Sequence, residues 1–256
     1  MVKQLNVLLT VPLVFIMSLL SGCVTTTTGY MAREIDPARV VEKLNDLGIG
    51  YLRQGNYTKS KENLRRALEL DPSSPVTHTT FGVLFEREGE FKLAEEHFRQ
   101  AVTHDPEYSR ARNNYGAFLF ARGRYEDAIR QLSVASEDRF YPLRPQVYEN
   151  MGVCYQKMGE SVKSEAAFLK AIQLDFSRTR ALIELAIIRY DQQDFTEAKR
   201  LYERHITVTE QSSRSLWLCI RLARTFDDLD KEASCTLVLK NIFPASEEFK
   251  QFQKIT

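Results

Sequence analysis

The chain has 256 residues, 43% of them apolar, and its 35 basic side chains are nearly matched by 34 acidic ones. That balance excludes a dedicated nucleic-acid binder, which needs a basic excess or stripe, and the apolar content excludes a disordered chain. Only 11 glycines and 8 prolines are present, too few for the turns of an all-β domain, so long helices are expected.

Lys3 is the sole charge before Arg33, and an apolar run from Val7 to Leu20 follows it. A basic start, an apolar stretch of this length and small residues at its end form the pattern of an export signal. The run is shorter than the roughly 20 apolar residues that a spanning helix needs. Its end, Leu20-Ser21-Gly22-Cys23, resembles the lipobox of bacterial lipoproteins. The resemblance implies removal of residues 1–22 and acylation of Cys23. With Val24 rather than Asp next, it also implies export to the outer membrane, facing the periplasm. Once Lys3 is gone, 34 basic groups face 34 acidic ones. Residues 23–40, with a Thr run, Gly29 and Pro37, read as the lipidated Cys and a flexible tether.

From Val41 the chain repeats. Gly48, Gly82 and Gly116 are 34 residues apart, and Gly152 follows after 36. A second series, Gly55, Gly89, Gly123 and Gly159, opens the stretches GNYTKS, GEFKLA, GRYEDA and GESVKS. A large residue (Leu64, Phe98, Leu132, Phe168) and an Ala (Ala67, Ala101, Ala135, Ala171) then recur at fixed offsets. These positions resemble the tetratricopeptide (TPR) pattern of paired helices. The implied fold is all-α, a right-handed superhelical solenoid of about six repeats. They are placed near 41–74, 75–108, 109–144, 145–178, 179–212 and 214–246, with 247–256 as a tail. Each helix pair leaves an apolar face that only its neighbours can cover. The first glycine series marks a close helix crossing, and the second a turn needing φ > 0. The fifth repeat is degenerate, with Ala186 and Tyr202 in phase; in the sixth, Trp217, Ala233 and Leu237 are fitted after a one-residue insertion. Extra residues between repeats 3 and 4 fall near 137–145, either a bare insertion or a contact loop.

In TPR superhelices the first helix of each unit lines the concave face. Carried onto this chain, the ninth position is apolar in Ile49, Val83, Ala117 and Val153, with asparagines and charges beside it. Such a stripe suits a peptide: asparagine can bond its backbone and the stripe can accept its apolar side chains. The expected partner-binding groove comprises Ile49, Leu52, Val83, Asn113, Asn114, Ala117, Phe120, Asn150 and Val153. The carboxylate clamp of chaperone-binding relatives is absent, since Asn45 and Ile49 occupy two of its positions.

No catalytic or metal-binding set emerges. His78, His97, His104 and His205 are scattered without metal-ligand spacing, and no HExxH, GxSxG or phosphate-cradling loop is found. No enzyme, cofactor or nucleic-acid partner is expected, and the protein is read as a monomer. Cys154 reads as a small core residue. Cys219 and Cys235 lie on the two helices of one hairpin, so a disulfide is open to them in an oxidising compartment, although their expected faces differ.

A lipobox followed by six TPR units, with runs such as LRQGNYTKSKENLRRALELDP, resembles the PilF/PilW family of type IV pilus biogenesis lipoproteins. The resemblance implies a pilotin, which brings the secretin subunit to the outer membrane and promotes its multimerisation. The alternative is a general periplasmic TPR adaptor in envelope assembly or cell-wall regulation.

Overall fold

A computed structural model describes residues 36–254. Those residues form thirteen helices and no strand. Twelve of them make six antiparallel hairpins: α1 (Pro37–Arg53) with α2 (Tyr57–Leu70), α3 (Pro75–Glu88) with α4 (Phe91–His104), and α5 (Ser109–Ala121) with α6 (Tyr125–Glu137). The series continues with α7 (Arg144–Lys157) and α8 (Ser161–Leu174), α9 (Thr179–Asp191) and α10 (Phe195–Val208), then α11 (Ser213–Thr225) and α12 (Leu229–Ile242). A short α13 (Glu247–Gln253) closes the chain. Contacts join the partners of each hairpin and then adjacent hairpins, so the molecule is a TPR solenoid with a core running along its length.

The sequence explains both the crossings and the turns. A Cβ built on Gly82 would lie 2.7 Å from the Phe98 ring, and one on Gly152 would lie 2.6 Å from Phe168. The large residue of the second helix therefore fills the space each glycine leaves on the first. Ser60 and Ser164 add hydrogen bonds across the same crossing, donating to the Gly48 and Gly152 carbonyls at 2.8 and 2.9 Å. Gly55, Gly89, Gly123 and Gly159 all have φ between 74° and 81°, the left-handed region where glycine costs least. In the two degenerate repeats Gln193 and Asp227 take that place with φ of 64° and 55°. Between hairpins, Asp71, Asp105, Asp138 and Asp175 each accept a bond from the backbone N–H two residues on. This local turn ends one repeat and aims the next.

Five expectations change. Residues 37–40, assigned to the tether, are the first turn of α1: Asp36 accepts from the Ala38 N–H and Pro37 sits where helices tolerate proline. The expected tail contains α13, which packs on α11 through buried Phe249 and an edge-on contact between Phe252 and Trp217 at 6.5 Å. In the sixth repeat the fitted Ala233 and Leu237 face solvent, whereas Cys235 and Leu239 face inward. No insertion is needed there, because the turn residues Gln193 and Asp227 are 34 apart, and Cys219 and Cys235 sit eight residues either side of Asp227. The two cysteines thus share one face after all, with Cα atoms 6.3 Å apart and their sulfurs bonded.

The 137–145 stretch is an ordered connection. Asp138 accepts from Ser109 at 2.7 Å, Tyr141 is buried, and Phe140 is 95% exposed. Residues 1–22 and Cys23 lie outside the described residues.

Candidate partner-binding groove

The first helices α1, α3 and α5 line up side by side, and a cavity of about 170 Å³ lies against them. Its floor is apolar: Ile49, Val76 and Val83, with the edge of Leu52. Thr79 and Thr80 also line it, and their hydroxyls donate backwards to the Pro75 and Val76 carbonyls at 2.6 and 2.8 Å. With the hydroxyls so engaged, these threonines add little polarity to the floor. Arg53, Arg87 and Arg110 stand around the cavity with Tyr108 and Asn114. Towards the N-terminal end a second hollow shares Ile49, Val76, Tyr108 and Arg110 and is bounded by Glu42, Asn45 and Asp46.

The expected groove residues divide. Ile49, Leu52, Val83 and Asn114 converge on this cavity, although Leu52 is mostly buried against Leu64, Phe81 and Leu84. Ala117 is exposed and Phe120 is half-buried against Tyr125, and neither lines it. Asn113 is a correction. It is 3% exposed, donates to the Tyr141 hydroxyl at 3.3 Å and accepts from Asn150 at 3.3 Å. These two asparagines hold α5 against α7, as Asn45 holds α1 against α3 by accepting from Thr77 at 2.8 Å. Val153 is likewise a core residue, packed in the cluster around Phe168. The physical reason is common to these cases: adjacent first helices pack closely enough to cover the positions facing sideways.

One cavity residue escaped the sequence reading. Tyr108 precedes α5, where a rule about first-helix positions does not reach; burial pushes its phenol pKa up. Val76, one residue after the Pro75 that starts α3, holds a first-helix position that the repeat rule does reach.

The corresponding first-helix positions of the later repeats carry ion pairs. Glu149, 5% exposed, pairs with Arg178 and accepts from the Ala181 N–H at 3.0 Å. Glu184, 6% exposed, binds Arg214 at 2.6 Å and accepts from Gln156 at 2.8 Å. Arg221, which holds the ninth position of the sixth repeat, pairs with Asp191 at 2.5 Å.

Among the described residues no group of His, Cys, Asp and Glu could hold a metal ion. His78 and His97 nonetheless meet, Nδ1 to Nδ1 at 3.0 Å, and His104 stacks on His78. His78 Nε2 lies 3.0 Å from the Pro72 carbonyl, which can only accept. Neutral His78 therefore carries its proton on Nε2 and accepts from His97 at Nδ1. Burial, and then the neighbouring His78, hold the His97 pKa down to about 4. Cys154 is buried and free, its thiol pushed up to about 12 by that burial. No described helix is long and apolar enough to cross a membrane.

Comparison with known proteins agrees with the fold and narrows the family. Tetratricopeptide repeat models match residues 41–74, 85–140 and 145–178. The chain is 38% identical over 245 residues to the type IV pilus assembly protein PilF of Pseudomonas aeruginosa, covering 94% of this chain and 96% of the relative. A solved Pseudomonas aeruginosa PilF structure superposes with a TM-score of 0.83 at 37% identity, over 86% of this chain and 99% of that one. The fold is also that of PilW, a type IV pilus biogenesis factor, at a TM-score of 0.71 and 23% identity, over 84% and 99% of the two chains. On identity and coverage together, the chain belongs to the family of the type IV pilus assembly protein PilF.

Proposed function

We propose that the protein is a non-enzymatic, lipid-anchored pilotin of type IV pilus assembly. It binds a segment of the secretin subunit in the groove over the first three repeats. The acyl chains on Cys23 carry the complex to the outer membrane, and confinement to one bilayer raises the local concentration of secretin and favours its multimerisation. The observation that carries this reading is the near full-length similarity to a pilus assembly protein in a chain that presents an apolar hollow on its first three repeats.

The test is complementation of a deletion strain. Cys23→Ser should give folded protein that no longer fractionates with the outer membrane. Ile49→Glu with Val76→Glu places charge on the groove floor and should abolish secretin multimers while helical circular dichroism is unchanged. Wild-type multimer levels in that double variant would remove the groove from the mechanism.

A further inference from the structure

Three arginines of the first three repeats are unpaired. Arg53, Arg87 and Arg110 are exposed, surround one cavity, and make no ion pair or side-chain hydrogen bond among the described residues. Arg53 and Arg87 end consecutive first helices at equivalent repeat positions, and Arg110 enters from the start of the third. No carboxylate lines that cavity. Glu86, the carboxylate next in sequence to Arg87, is half-buried and lies under the influence of Arg122 before that of Arg87. Glu42 and Asp46 border only the neighbouring hollow.

Four other arginines pair with a carboxylate of a neighbouring repeat. Arg124 binds Glu95 at 2.6 Å, Arg189 binds Glu165 at 2.6 Å, Arg214 binds Glu184 at 2.6 Å and Arg221 binds Asp191 at 2.5 Å. Three guanidinium groups around an apolar floor, without a carboxylate among them, form a site complementary to an anionic amphipathic ligand.

We infer that the groove takes a peptide segment whose apolar side chains seat on Ile49, Val76 and Val83 and whose Asp or Glu carboxylates meet Arg53, Arg87 and Arg110. The inference names the partner chemistry of the groove proposed above and rests on that reading for the identity of the protein that supplies the segment. Guanidinium forks bind carboxylates through two parallel N–H···O bonds, which fixes the register of the segment as well as holding it. Partial exposure makes the attraction dependent on ionic strength.

The experiment uses the detergent-solubilised full chain and two synthetic amphipathic peptides with identical apolar residues, one bearing Glu and the other Lys at its polar positions. The Glu peptide should bind at least tenfold more tightly at low salt, and raising the salt should narrow that ratio. Arg53→Ala, Arg87→Ala and Arg110→Ala together should remove the preference, whereas Lys59→Ala, outside the cavity, should leave it intact. Equal binding of the two peptides, or a preference that survives the triple variant, overturns the inference. Co-capture of the secretin subunit is measured in parallel with the wild-type and Ile49→Glu/Val76→Glu chains. If the double variant captures secretin normally while the peptide preference holds, the pilotin assignment of the groove falls and the acidic-ligand site stands.

Discussion

The two ends of the solenoid use the same helical hairpin for different purposes. In repeats 1–3 the concave surface keeps a hollow, an apolar floor and three unpaired arginines. In repeats 4–6 the comparable surface is tied up by Glu149–Arg178 and Glu184–Arg214. That end is also stapled by Cys219–Cys235 and covered by α13. A repeat protein distributes its stability over nearest-neighbour contacts. One end can therefore serve as a rigid platform while the other keeps polar groups free for a ligand.

Substitutions should separate the halves, most strongly at buried charge. Glu149→Ala leaves Arg178 beside a buried vacancy and removes the acceptor of the Ala181 N–H. It should cost about 3 kcal/mol in denaturant unfolding, with secretin capture retained by molecules that are folded. A cost below about 1 kcal/mol would mean that the ion pair does not organise this end.

Cys219→Ser with Cys235→Ser opens a loop of 16 residues, for which the chain-entropy account gives about 3 kcal/mol and engineered cases usually less. A loss of about 2 kcal/mol is expected, with hydrogen exchange accelerated in α11–α13 and unchanged in α1–α5. Acceleration spread evenly over all repeats would contradict the division.

The histidine pair gives a smaller effect that belongs to the open end. Burial, and then His78, hold His97 down to about 4 in the folded chain, against 6.5 for an unperturbed imidazole. Between these values the unfolded chain binds more protons, so stability is full above about pH 6.5 and falls as the pH drops towards 4. Allowing for solvent screening at a half-buried site, acidification from pH 7 to 5 should cost about 1 kcal/mol at this group, or roughly 2–4 °C in Tm. His97→Phe should flatten that slope; an identical slope in the variant would assign the acid sensitivity elsewhere.

The smallest effect on stability is the most informative. Alanine at Arg53, Arg87 and Arg110 together should change unfolding free energy by no more than about 0.5 kcal/mol, because nothing folded depends on these groups. A loss of 2 kcal/mol or more would show them to be structural.

Much of this architecture was legible in the sequence. Glycines at a fixed period reported two hard constraints, a crossing without room for Cβ and a turn with positive φ, and both are met where they were placed. The degenerate repeats were harder because other residues meet the same constraints. Asp227 turns the chain as glycine does elsewhere, and a cysteine pair bonds the two helices of the last hairpin. The expected groove was less legible. Asn113 and Val153 share repeat phase with the lining residues Thr79 and Val83, but phase does not say how closely successive helices pack. Tyr108 lies between helices, outside any helical rule. The unpaired state of the arginines was likewise hidden, since it depends on carboxylates that approach from other repeats.

The central claim is that the partner enters the open end and not the closed one. A photo-crosslinking residue placed at Val83, and separately at Ile187 in the same ninth-position series, tests it in cells making the full chain and its secretin. The account predicts a secretin adduct from position 83 and none from position 187. Adducts from position 187 alone would contradict it.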